Sequence, residues 1–402
     1  MSSGSSGGRL VVVGASLAGL RAVEAARRDG FTGEIVLVGD EPHLPYDRPP
    51  LSKAFLEDDS APEPTYQPPS HFADLDVDLR LGTRATALDP VARLVATAGG
   101  EIRYDQLVIA TGSTARTLPG LEGLPGVHVL RTLDDARGLR QALDLAGRVV
   151  VVGAGFIGSE VASSARKRGL SVTVLEAAQV PLERALGPEM GGAVSALHAA
   201  NGTDLRCGVG VQGIHQGSTG LRVEATDGSS FDADLVVVGV GADPATEWLE
   251  GSGLELKDGI VCDATLSAGF PGVYAAGDVA RWFNRDFDVE MRLEHWTSAA
   301  EQGAIAARNA VTGACGEYRT VPYFWSDWYD RRIQFVGVPT ADHVTVVTGD
   351  PAEGRFVALF RSGSRLAGAL CVGYPAHTMK YRRLIGAAAS WEDGLAFADS
   401  RR

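Results

Sequence analysis

Three glycines and one acid make the first candidate for chemistry. Gly153, Gly155 and Gly158 stand in RVVVVGAGFIGSE, residues 148–160, and match the pattern G-x-G-x-x-G. The first glycine permits a tight turn, the second lets the main chain approach a pyrophosphate, and the third lets a helix pack on a strand. A helix opening at that point offers unpaired N–H groups and the positive end of its dipole to phosphates. Glu176 follows 23 residues after Gly153, where an acid would bond the hydroxyls of an adenosine ribose. A second copy lies 139 residues earlier, in RLVVVGASLAGL from Arg9 to Leu20. Its turn reads Gly14-Ala15-Ser16-Leu17-Ala18-Gly19, with Ser16 in place of the middle glycine, and Asp40 follows 26 residues after Gly14. Two such turns, each with its acid, predict a chain that binds two dinucleotides.

These turns need particular elements around them. Each follows a continuous apolar, β-branched run that suits a strand buried on both faces of a parallel sheet. Each leads into a helix-like stretch and then a second apolar strand, EIVLVGD before Asp40 and LSVTVLE ending at Glu176. Further strands end in YDQLVIATGS (104–113, with Ala110, Thr111 and Gly112), in DLVVVGVGADP (234–244) and in GVYAAGDVA (272–280, with Gly277 and Asp278). RPPLSK, from Arg48 to Lys53, is a proline-fixed turn able to start a helix.

Composition bounds the rest. The chain has 402 residues, 45% hydrophobic and 22% charged, an ordinary globular balance with a length that suggests two to three domains. No apolar run is long enough to span a bilayer. A net charge of −13 argues against nucleic acid, which needs a basic face. Cys207, Cys262, Cys315 and Cys371 form no C-x-x-C pair, and the eight histidines show no ligand spacing, so no metal site is expected. The cysteines read as free thiols in a reducing cytoplasm. Residues 1–8, MSSGSSGG, read as a flexible leader or tag with neither a secretory nor a transit pattern.

Taken together, these segments resemble the FAD-dependent pyridine-nucleotide reductases, and more narrowly the NADH:ferredoxin reductases that serve oxygenases. The resemblance runs from Arg9 to about Leu395, and PYDRPPLSK (45–53), YAAGD (274–278), EHWTSAAEQG (294–303) and YFWSDWYDRRIQ (323–334) carry it. It implies an α/β fold with two Rossmann-like dinucleotide-binding domains, glutathione-reductase-like, plus a C-terminal α+β interface domain. It implies FAD on the first turn, with Asp40 on its ribose and Asp278 on the ribityl chain. Arg48, Lys53, Ala85, Arg131 and Trp296 complete that site by the same resemblance, with Glu294 and His295 beside Trp296. It implies NADH on the second turn, near Phe156, Ile157, Glu160, Glu176, Arg184 and Gly241. Charge favours NADH over NADPH: Glu176 would repel a 2′-phosphate, Ala177, Ala178 and Gln179 offer no cation, and the first is Arg184.

The implied reaction is hydride transfer from NADH to FAD, followed by release of single electrons to a 2Fe-2S ferredoxin supplying a haem monooxygenase or Rieske oxygenase. Lys53 and Glu160 each follow a phosphate-binding turn. On the residues alone, a surface lysine and a first-turn helical glutamate account for them; the resemblance implies a pair beside the flavin. It also brings Trp325 to the flavin, on the side of the acceptor, whereas Trp282, Trp328 and Trp391 read as core. His295 reads as a core histidine or a backbone-positioned flavin contact. EPHLPYDRPP (41–50) lacks the cysteine of disulfide reductases, so the electrons need an external acceptor. Residues 320–402 carry ten Lys+Arg against eight Asp+Glu, and the rest of the chain carries −15. Arg331-Arg332 and the cluster at 380–383 would steer an acidic ferredoxin, or are ordinarily solvated surface. An NADH:rubredoxin reductase and a flavin redox sensor resembling apoptosis-inducing factor are the competing readings.

The expected division is 9–114 with 244–319 for FAD, 115–243 for NADH and 320–402 for the interface domain. TLPGLEGLPG (117–126) reads as a connector. EPTYQPPSHF (63–72) reads as a loop, and a helical tail is expected from about Met379 to Ala389.

Overall fold

The computed structural model describes residues 7–121, 123–217 and 220–401. Residues 1–6 of the expected leader and Glu122 of the connector therefore lie outside the described residues; Gly8 O accepts from Glu34 N. The chain divides into two compact units. The first comprises Met1–Asp47, Pro64–Thr114 and Asp243–Thr320; the second comprises Arg48–Glu63, Ala115–Ala242 and Val321–Arg402.

The first unit is built on a five-stranded sheet in the order Val273–Ala275, Gln106–Ile109, Arg9–Val13, Glu34–Val38, Val77–Arg80. Every neighbouring pair is parallel. Leu10, Val11 and Val12 of the central strand are fully buried, which is why that run shows no polar alternation. The helix Leu17–Arg28 follows it and packs on the helix Trp296–Thr312. Their approach is backbone-close: a Cβ on Gly303 would lie 2.2 Å from Ala18 O.

The second unit repeats the plan. Its five-stranded sheet runs Asp204–Cys207, Ser171–Glu176, Arg148–Val152, Leu235–Val238, Val127–His128, again all parallel. The helix Phe156–Lys167 follows the central strand. The same unit holds an antiparallel sheet ordered Tyr323–Trp328, Arg331–Gly337, Arg365–Val372, Arg355–Ser362, His343–Asp350. Phe324, Trp328, Phe335 and Phe356 of that sheet share a core with Leu186, Met190 and Val194 of the helix Glu183–Ala200.

Two local expectations need correction. The C-terminal helix starts at Pro375, not near Met379, because a proline at the first helical position lacks only an N–H that would be unpaired there anyway. A second helix, Trp391–Asp399, follows, started by a capping box of Ser390 and Asp393. Pro69 likewise opens a helix, Pro69–Asp74, inside the stretch expected as a loop. Among the described residues no helix is long and apolar enough to cross a membrane.

Candidate functional site

In the first unit, Gly14 ends the strand Arg9–Val13 with φ +118°. Its N–H donates to Val38 O and Ala110 N donates to Val13 O, both at 2.7 Å, so the turn is stitched to both neighbouring strands. A Cβ at Gly14 would lie 2.0 Å from Ala110 O, and one at Gly19 would lie 1.9 Å from Gly14 O. Both glycines are thus required by close backbone approach. Ser16 is the N-cap residue of the helix Leu17–Arg28, yet its side chain caps nothing. The first N–H groups of this helix, Ala18 among them, are left to a ligand or water. Asp40, at the end of the next strand, is 63% exposed and 3.6 Å from Arg84.

The second unit reproduces this stitching. Gly153 has φ +96°; its N–H donates to Leu175 O at 2.7 Å, and Gly239 N donates to Val152 O at 2.8 Å. A Cβ on Gly153 would lie 2.4 Å from Gly239 O, and one on Gly158 would lie 2.0 Å from Gly153 O. Gly155 differs: a Cβ there would meet nothing closer than 3.9 Å. The fold does not require that glycine, whereas a pyrophosphate lying against the turn does. Glu176 reaches back to the turn, accepting from Ala154 N at 2.6 Å and from Ala178 N at 2.8 Å. Gly241 O accepts from Arg116 N, Ile157 is 40% exposed, and Arg184 is exposed near the start of its helix.

Asp278 stands in a single 3-10 turn, Gly277–Val279. Its carboxylate accepts from Ser113 Oγ at 3.1 Å. Gln302, fully buried on the helix Trp296–Thr312, accepts from Gly277 N at 2.8 Å. Among the described residues Gln302 Nε2 has no hydrogen-bond partner, the mark of a site completed by a further polar group. Trp296 Nε1 donates to Asp47 at 2.8 Å, and Tyr66 Oη donates to the same oxygen at 2.6 Å. Burial, reinforced by Asp47, raises the Tyr66 phenol. Burial pushes His295 down to about 4 against a smaller opposing pull from Asp278. The residue as a whole is half-buried, but Nδ1 is shielded from solvent. Thr111 Oγ1 donates to Ala245 O, Gly112 has φ +70°, Ala85 is buried and Glu294 pairs with Arg292. Ala15 sits inside the first turn, where its Cβ fills the space beside Gly39.

Arg48, Lys53 and Arg131 belong to the second unit. Arg48 Nη1 donates to Arg131 O at 2.6 Å. Lys53 Nζ lies 2.7 Å from Glu160 Oε2, with exposures of 18% and 3%. The structure therefore brings Lys53 and Glu160 together, and the reading as unrelated surface groups fails on geometry. Trp325 stacks on Tyr323 with centroids 5.8 Å apart and lies under Arg332. Phe156 packs edge-on to Phe324. Sequence reasoning missed Ser52, Ser326, Asp47, Tyr66 and Gln302. Ser52 stands in the quoted PYDRPPLSK run and Gln302 in EHWTSAAEQG, so motif membership was the only signal available.

The four cysteines are free. Burial pushes the thiols of Cys262 and Cys371 up to about 12 and raises Cys207 as well, with Glu176 adding to it. Thiols held protonated in this way are poor nucleophiles. Among the described residues no cluster of His, Cys, Asp or Glu is arranged to hold a metal ion.

Residues 8–303 match the family model described as pyridine nucleotide-disulphide oxidoreductase, and residues 323–401 match the reductase C-terminal model. The chain is 38% identical to rhodocoxin reductase of Rhodococcus erythropolis, covering 94% of this chain and 89% of that protein. It is also 38% identical to the ferredoxin–NAD(+) reductase component of the anthranilate 1,2-dioxygenase system of Burkholderia cepacia, over 94% of each. The solved covalent putidaredoxin reductase–putidaredoxin complex has a chain that superposes with a TM-score of 0.89 at 33% identity, covering 95% of this chain and 93% of that one.

Proposed function

The chain belongs to the pyridine nucleotide-disulphide oxidoreductase family, and from that premise we propose that it is an NADH-dependent ferredoxin reductase of an oxygenase system. The observation that carries the reading is the repeated strand–turn–helix, stitched identically in two units, each with its own acid. NADH supplies a hydride to bound FAD, which passes the two electrons singly to 2Fe-2S ferredoxin and the proton to solvent.

The residues present fit both groups. We assign FAD to 9–114 with 244–319 and NADH to 115–243, with 320–402 as the interface domain. Ser16 and Ala18 present main-chain N–H groups to the FAD phosphates, Gly14 allows their close approach, Asp40 takes the ribose hydroxyls and Asp278 the ribityl hydroxyls. Gly277 and Gln302 hold the Asp278 turn. We assign Trp296, fixed through Asp47 and Tyr66, and Trp325 as contacts of the flavin ring. Gly155 leaves room for the NADH pyrophosphate, and Glu176 excludes a 2′-phosphate by charge. To Lys53, held against Glu160, we assign the cation that would favour hydride uptake by bound FAD. The four cysteines are unpaired and supply no internal dithiol relay, so the electrons leave to a protein partner. Arg332, Lys380 and Arg383 give that partner a cationic approach on a chain of net charge −13. We place the activity in the cytoplasm, where NADH is available and free cysteines remain reduced.

The test is an anaerobic NADH titration of the FAD-loaded protein, followed by oxidised 2Fe-2S ferredoxin. We expect bleaching of the flavin band, then its return as ferredoxin is reduced. Bleaching with no electron transfer to ferredoxin but transfer to rubredoxin would overturn the choice of acceptor. Slow bleaching with NADH-dependent dimerisation would overturn the enzymatic reading in favour of a sensor.

A further inference from the structure

Glu160 sits in the second unit on the helix Phe156–Lys167 and is 3% exposed. A carboxyl group removed from water needs its oxygens satisfied. Oε2 accepts from Ser52 Oγ at 2.5 Å and Lys53 Nζ at 2.7 Å. Oε1 accepts from Ser326 Oγ at 2.5 Å and Asp327 N at 3.2 Å. The donors come from two stretches of chain more than 250 residues apart. Three of the four are a main-chain N–H or a short hydroxyl, and both hydroxyls are buried: Ser52 is 1% exposed and Ser326 is 0%. The fourth, Lys53, is long and flexible, and it also donates to Pro49 O of its own segment.

Ser326 is oriented from behind. Trp328 Nε1 donates to Ser326 Oγ at 2.9 Å. A serine hydroxyl has one hydrogen, so with Trp328 donating, that hydrogen is directed to Glu160. Trp328 is itself fully buried and tilted against His198, whose ring nitrogens are held by Tyr329 and Ser159.

We propose that Ser326 is a positioning residue for hydride transfer: together with Ser52 it fixes Glu160, so that Lys53 is the member of the pair that moves when nicotinamide enters. This rests on the reading of Lys53 and Glu160 as the pair beside the flavin. If Glu160 followed Lys53 it would abandon two buried hydroxyls, each costly to leave unpaired, and a part-buried main-chain N–H. If Lys53 swings alone, Glu160 loses one donor and keeps three. The strand Tyr323–Trp328 alternates, with Phe324, Ser326 and Trp328 buried and Tyr323, Trp325 and Asp327 partly exposed.

The experiment compares wild type, Ser326→Ala, Ser326→Thr and Ser52→Ala as FAD-loaded proteins. Flavin reduction by NADH is followed by anaerobic stopped flow, and crystal structures are determined with and without NAD+. We expect Ser326→Ala to slow flavin reduction at saturating NADH by about tenfold while half-saturation by NADH changes less than about twofold, with Ser326→Thr restoring most of the rate. In NAD+-bound wild type, Lys53 Nζ should leave Glu160 while Glu160 stays on Ser326. Wild-type kinetics in Ser326→Ala, or a nucleotide-bound structure in which Glu160 leaves Ser326, overturns the proposal. Should Ser326→Ala fail to retain FAD, Ser52→Ala decides by the same rate-against-half-saturation split. A wild-type flavin that NADH does not reduce overturns the function and the proposal together; a normally reduced wild type with an unaffected variant overturns the proposal alone.

Discussion

At the scale of single residues, opposite demands meet on Glu176. Its carboxylate holds the glycine turn through Ala154 N and, on the proposed assignment, would also bar a 2′-phosphate by charge. Glu176→Ala should therefore loosen the turn and relax the coenzyme preference together. We expect KM for NADH to rise, and the ratio of kcat/KM for NADPH over NADH to rise by roughly tenfold, read from steady-state kinetics with each coenzyme. Lys53→Met is expected to keep FAD bound and to slow flavin reduction by about tenfold or more, measured by stopped flow. Its methylenes are retained while the cation opposite Glu160 is lost. The two acids differ in their surroundings: Asp40 faces solvent, whereas Glu176 is engaged by main-chain N–H groups.

At the scale of elements, the glycines separate folding from binding. Gly158 faces Gly153 O at 2.0 Å from a virtual Cβ, but Gly155 faces open space at a φ of −72° that any residue adopts. Gly158→Ala should lower the unfolding midpoint in denaturant by an amount worth about 2 kcal/mol or more. Gly155→Ala should stay within about 0.5 kcal/mol of wild type and lose NADH affinity instead, read from KM. This scale is also where the sequence was most legible. Each turn, its two strands and its acid fall within some 30 residues, so periodicity and glycine spacing reveal them. The pairing of Lys53 with Glu160 was legible only through the resemblance, and the serine partners of Glu160 and the partner of Trp296 were not legible, because Ser326 lies 166 residues from Glu160 and Asp47 lies 249 residues from Trp296. Such hydrogen bonds leave no local pattern. The early helix start at Pro375 was missed for a different reason: a proline reads as a breaker unless its place at the first helical position is recognised.

At the scale of the whole molecule, burial of histidine sets a limit on acid stability. Burial pushes His198 down to about 4 from 6.5, so below pH 6.5 the unfolded chain takes up a proton that the folded chain refuses. The contribution is complete above pH 6.5 and falls away towards pH 4, by on the order of 3 kcal/mol. Thermal midpoints should drop over that window, and His198→Gln should flatten the slope. The charge balance makes a separate prediction. Raising NaCl from about 50 to about 200 mM should raise KM for an acidic ferredoxin several-fold and leave KM for NADH much less affected, in assays that vary one substrate at a time.

The route of the chain has a consequence for its manufacture. The first unit is assembled from three separate stretches, and its sheet ends on Val273–Ala275, which pairs with Gln106–Ile109. On the ribosome, at about 5–20 residues per second, the edge of Gln106–Ile109 waits roughly 8–30 seconds for that partner to emerge. Throughout that interval a buried, apolar strand edge is open to any other chain that can pair with it. The yield of soluble protein should therefore depend on the speed of translation between residues 110 and 275, and a slowed stretch there should send nascent chains into aggregates without altering a single residue of the finished enzyme.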